Sequence, residues 1–123
     1  MNMSKQVESI FDELEKLPAG WDGYDALPVN KKTLNIARRA VSAIIDCHPN
    51  LIMPDVGAVE DGRVDIVIMP PYGRVFWATL DVDELRVQSE PIVDIPLVGS
   101  DDEKVATVIN AFDGFSSQSW SKN

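Results

Sequence analysis

The sequence predicts an α+β domain, and three observations predict it. Two stretches near the N-terminus carry apolar residues at helical spacing, a central run of short β-branched segments is punctuated by turn residues, and a capping box opens a third helical pattern. The expected architecture is two N-terminal helices, a three- to four-stranded antiparallel meander, and a C-terminal helix, with the helices packed on one sheet face. At 123 residues the chain has the size of one domain, assigned to residues 1–115, with residues 116–123 read as a polar C-terminal tail.

In the first helix Val7, Ile10, Phe11, Leu14 and Leu17 share one face while Lys5, Glu8, Asp12, Glu13, Glu15 and Lys16 fill the other. Ser4 suits the N-cap, and Pro18 with Gly20 supplies the stop. The loop Gly20-Trp21-Asp22-Gly23-Tyr24-Asp25-Ala26-Leu27-Pro28 follows. Its glycines permit φ > 0 and its aspartates can bond neighbouring N–H groups, so a tight turn is expected with Trp21 and Tyr24 packed beneath it.

Asn30 is the expected cap of a second helix reaching about Cys47, with Leu34, Ala37, Val41, Ile44 and Ile45 inward. Asp61-Gly62, set between Val56/Val59 and Arg63–Met69, is a hairpin signal. Pro70-Pro71-Tyr72-Gly73 marks a second turn, Arg74–Leu80 a third strand, and Asp81–Glu84 a turn into Leu85–Gln88. Pro91 and Pro96 bracket an apolar segment suited to a sheet edge or a linker. Ser100 and Glu103 have capping-box spacing, Val105, Val108, Ile109 and Phe112 continue the helix, and Gly114 is its expected stop.

Charge is the second source of information. Eleven basic against twenty acidic residues give a net charge of −9, distributed as −4 over residues 1–30, +3 over 31–50 and −8 over 51–123. Binding a phosphate polyanion relies on cations that displace counterions, so direct nucleic-acid binding is not expected and a basic protein surface is. The basic cluster Lys31, Lys32, Arg38 and Arg39 reads as solvated helix surface, and Phe76, Trp77 and Tyr72 as core and turn packing in place of a base-stacking platform. The opening residues lead into a polar helix and no apolar run reaches the roughly 20 residues of a membrane helix, so a cytoplasmic location without membrane contact is expected.

No catalytic, metal or nucleotide motif stands out. One cysteine, Cys47, and one histidine, His48, are too few for a zinc set, and adjacent residues on a helix end point about 100° apart, which suits no thiol–imidazole pair. Cys47 reads as a buried small hydrophobe and His48 as a helix C-terminal residue. No cofactor is expected. Asp61, Asp65, Asp81, Asp83 and Glu84 lack EF-hand spacing and read as acidic turns and wet strand positions. The candidate binding residues are therefore Trp21, Asp22, Tyr24 and Asp25 in the aromatic loop, with Asp61, Asp81, Asp83 and Glu84 in the acidic turns.

Trp21-Asp22-Gly23-Tyr24-Asp25-Ala26-Leu27-Pro28, followed by a helix, Pro54 and Asp61-Gly62, resembles a group of short bacterial and phage-associated proteins that share a Trp-Asp-(Gly or Ser)-Tyr-x-Ala-x-Pro loop. The resemblance covers roughly residues 10–80 and brings no assigned activity with it. The expected function is a non-catalytic inhibitor or interaction protein of phage or mobile-element origin, comparable to anti-CRISPR or antitoxin proteins, whose acidic face engages nucleic-acid machinery. Two other classes are kept beside it: a nucleotide-sequestering protein with its pocket near Trp21 and Tyr24, and a metal-dependent hydrolase using the acidic turns. Ile92-Val93-Asp94-Ile95 and the open sheet face are candidate contacts for a homodimer.

Overall fold

Helix α1 (Met3–Glu15) buries Val7 and Phe11, with Ile10, Leu14 and Leu17 partly buried beside them, as the apolar spacing requires. It already begins at Met3, which puts Ser4 inside the first turn and not at the cap. The computed structural model describes residues 3–48, 50–69, 75–89 and 91–121, with side chains up to residue 115. The turn expected at 70–73, with Tyr72 and the start of the third strand at Arg74, lies outside the described residues.

Helix α2 (Lys31–Cys47) starts where Asn30 accepts the Thr33 N–H at 3.0 Å, the expected cap. Its Leu34, Ile36, Ala37, Ala40, Val41, Ile44 and Ile45 are buried. Cys47 is exposed, contrary to the sequence reading, because it occupies the last helical position, past the final core pair Ile44 and Ile45.

The α+β class is as expected, but the sheet has five strands and not three or four. They are β1 (Ile52–Ala58), β2 (Val64–Met69), β3 (Phe76–Leu80), β4 (Glu84–Val87) and β5 (Val93–Pro96), antiparallel in the order β1-β2-β3-β4-β5. Strand β1 is the first arm of the expected hairpin, and the strand beyond the expected four is β5, in the proline-bracketed segment that suits a sheet edge or a linker. Pro54 lies in β1 at a register irregularity between Ile52 and Asp55, and Pro96 ends β5, both on edges where a missing N–H breaks no inner ladder.

Alternation then sorts the sheet residues. Val64, Ile66 and Ile68 of β2 and Phe76, Ala78 and Leu80 of β3 pair across the ladder and are all buried. They form one cluster with Val7 and Phe11 of α1, the α2 row, and Val105, Val108 and Phe112 of α3 (Asp101–Ser121). Phe112 stands edge-on to Phe76, ring centroids 5.4 Å apart, and edge-on to His48 at 5.3 Å.

At the start of α3 the Ser100 N–H donates to Glu103 Oε1 at 2.9 Å, and the Glu103 N–H donates to Ser100 Oγ at 3.2 Å, a complete capping box. The Ser100 N–H, with its hydroxyl, holds the Glu103 carboxyl below its usual value of 4.5. A carboxyl depressed on folding stabilises the fold above its unfolded value and loses that contribution as pH falls through the folded one. Ser100→Ala should cost about 1 kcal/mol. Glu103→Gln should lower the Tm relative to wild type at pH 7, and thermal melts at pH 2–3 should find that gap closed.

The stop expected at Gly114 is absent, and α3 continues through it to Ser121. A helix ends at glycine when the residue takes a left-handed φ, and Gly114 is not among the glycines with positive φ. Inside a helix glycine only lowers stability, by up to about 1 kcal/mol relative to alanine.

Candidate functional site

The aromatic loop is held by its own polar groups. Trp21 Nε1–H donates to the Leu27 carbonyl at 2.9 Å, Asp22 Oδ1 accepts the N–H groups of Tyr24 (2.9 Å) and Ala26 (3.3 Å), and the Gly20 N–H donates to the Ala26 carbonyl at 2.7 Å. Gly20 and Gly23 supply the positive φ the turn needs. Trp21 is half-buried, but Tyr24 is 84% exposed and does not pack beneath the loop as expected. Asp25 is exposed beside it.

The loop docks on the β1–β2 turn. Leu27 N–H donates to the Glu60 carbonyl at 2.7 Å and Asn30 N–H to the Gly62 carbonyl at 2.9 Å. Within that turn Asp61 takes the Arg63 Nε–H at 2.8 Å and the Arg63 backbone N–H at 3.2 Å. The Arg63 guanidinium holds the Asp61 carboxyl below its usual 3.8 and is itself raised, chiefly by Asp61 with a further contribution from Asp81.

In an antiparallel meander the β1–β2 and β3–β4 turns share one end of the sheet, so Asp61 and the 81–84 turn face the same way. The Asp81 N–H donates to the Glu84 carbonyl at 2.8 Å and Asp81 Oδ1 accepts the Val82 N–H at 2.7 Å. The Asp83 carbonyl accepts the Leu97 N–H, and Lys104 Nζ donates to the Val82 carbonyl at 2.8 Å, fastening α3 to this turn. The fold thus gathers both acidic turns at one sheet end, with the aromatic loop docked on the first. Among the described residues no hydrogen bond or ion pair joins that loop to residues 81–84.

The described arginines on the rest of the surface are engaged. Arg38 sits over the Phe11 ring and pairs with Asp12 at 3.0 Å, Glu8 at 3.5 Å and Glu15 at 3.9 Å, while Arg39 pairs with Asp102. Arg86 holds Asp94 through both carboxylate oxygens, at 2.8 and 3.4 Å. Each of the four arginines among the described residues is therefore matched to a carboxylate of this chain. His48 Nε2 lies 3.4 Å from Asp113. Among the described residues no three His, Cys, Asp or Glu side chains come together as a metal set, and no helix is long and apolar enough to cross a membrane.

The residue that sequence reasoning missed is Trp77. Its neighbour Phe76 is fully buried, and alternation along β3 sends Trp77 to the opposite face, where it is 48% exposed. Register sets it opposite Val67, which is opposite Asp55, and one row along Thr79 faces Asp65. Thr79 Oγ1–H donates to Asp65 Oδ1 at 2.7 Å and Gln88 Nε2–H donates to Thr79 Oγ1 at 3.3 Å, fixing the Asp65 carboxylate beside the tryptophan row. Ile52 and Met69, paired across β1 and β2, are exposed on the same face. The period-two pattern Phe76-Trp77-Ala78 carried this signal.

No family model, no curated protein and no solved structure matches the chain.

Proposed function

We propose that this chain is a non-catalytic interaction or inhibitor protein of phage or mobile-element origin that acts in the cytoplasm by binding a basic surface of nucleic-acid machinery, as anti-CRISPR and antitoxin proteins do. The observation that carries the reading is the pairing of charge. Arg38, Arg39, Arg63 and Arg86 are each paired with a carboxylate of the same chain, while Glu60, Asp81, Asp83 and Glu84 lie in two turns at one sheet end, with Asp25 exposed in the loop docked on the first, and form no ion pair among the described residues, although Asp81 and Glu84 lie within reach of the charges of Arg63 and Arg86. With a net charge of −9, the resulting field attracts a basic partner, speeds encounter and repels nucleic acid. In this reading the helices cover one face of the sheet and leave the other, with the acidic end, for the partner.

Affinity capture with tagged protein tests this. A basic nucleic-acid-handling protein should be retained at low salt and released at high salt. Retention of a partner that ignores salt and survives charge reversal of Asp81, Asp83 and Glu84 would refute the proposal.

A further inference from the structure

We infer that the open sheet face is the partner-binding surface, with Trp77 as its anchor, and that it receives an arginine- or lysine-bearing protein segment whose cation stacks on the indole beside Asp65. This deepens the proposed function and rests on it. An aromatic that is half exposed in the middle of a sheet, flanked by Val67, Met69 and Ile52, presents a contiguous apolar strip of the kind that marks an interaction site.

Charge decides the occupant. The carboxylates of Asp55 and Asp65 lie on the same face as Trp77, one on its own row and one on the next. The described arginines on that side of the sheet are already taken: Arg86 by Asp94, and Arg63, close enough to Arg86 to feel its charge, by Asp61. A second copy of the chain would set Asp55 and Asp65 against like charges on a body of the same −9 charge, which opposes self-association. A guanidinium or ammonium group instead meets both the π-face of Trp77 and a carboxylate already held in place by Thr79. The anchoring contact comes from a central aromatic, and the acidic turns at the sheet end supply attraction at longer range.

The probe is a six-residue peptide alternating arginine and glycine, titrated into the full chain and followed by two-dimensional NMR, with a citrulline-for-arginine peptide as the uncharged control. The Trp77 indole N–H and the amides of Val67 and Thr79 should shift saturably with the arginine peptide and not with the control. Trp77→Ala and Asp65→Asn should each weaken binding about tenfold, while Glu13→Gln, at an exposed position of α1, should change it less than twofold. Shifts centred on residues 81–84 with the Trp77 indole unmoved would overturn this surface and leave the acidic-partner reading standing. An equal response to the citrulline peptide would overturn both. A concentration-dependent dimer that buries Trp77 in light scattering and NMR would also overturn the inference, because it would assign the face to a second copy.

Discussion

Phe112→Ala is expected to destabilise the protein by about 3–5 kcal/mol, the largest effect of any single substitution considered. Phe112 is 1% exposed and touches rings from two other parts of the chain, Phe76 of β3 and His48 at the end of α2. Its removal opens a cavity where α2, α3 and the sheet meet, in a closely packed interior. Domains of this size are stable by about 5–15 kcal/mol, so the variant should lose a large part of the total, and urea denaturation should show a lower midpoint at an unchanged slope. Trp77→Ala, on the exposed face of the adjacent strand position, should move the midpoint far less. That contrast separates the core side of β3 from its exposed side in one experiment.

Gly62→Ala is expected to cost about 1–3 kcal/mol by a different route. Gly62 has φ +95°, and a Cβ built there would lie 3.3 Å from the Pro28 carbonyl oxygen, closer than an ordinary contact. The same residue's carbonyl receives the Asn30 N–H just before α2 begins. The substitution therefore combines backbone strain with pressure on the junction that ties the aromatic loop to the β1–β2 turn. Gly23→Ala is the control, because Gly23 also has positive φ (+86°) but its Cβ would meet nothing. Thermal melts should rank Gly62→Ala below Gly23→Ala, and amide exchange at Leu27 and Asn30 should quicken only in the former.

What the sequence made legible were the features decided by neighbours along the chain. Asn30 and the Ser100/Glu103 pair cap the helices they precede, and Asp61-Gly62 turns the hairpin, because each depends on contacts spanning only a few residues. The fifth strand was legible only in part because a short, proline-bracketed segment suits an edge strand and a linker equally, and only pairing with β4 makes Val93–Pro96 a strand. Gly114 misled for the opposite reason. A glycine stops a helix through its φ, which packing of Phe112 and Phe115 on the core leaves helical.

The candidate site was legible in part. The acidic turns were visible as composition, and the meander brings them to one end, which no local pattern announces. Tyr24 proved to be exposed, since the loop is closed by the Trp21 indole and the Asp22 carboxylate and needs no second ring beneath it. The apparent basic patch on α2 depends on tertiary structure too: Arg38 meets α1 and Arg39 meets α3, so two of its four cations are already matched. Trp77 was read as packing because its neighbour Phe76 is packing, and the two part company only once the strand is recognised.

The central claim is that the chain binds a basic partner through acidic attraction. The dissociation constant of the cognate complex, measured against salt concentration for wild type and for the triple variant Asp81→Asn, Asp83→Asn, Glu84→Gln, tests it most directly. The account predicts steep weakening with salt for the wild type and a shallower slope with slower association for the variant. A wild-type affinity that does not change with salt, matched by the variant, would contradict it.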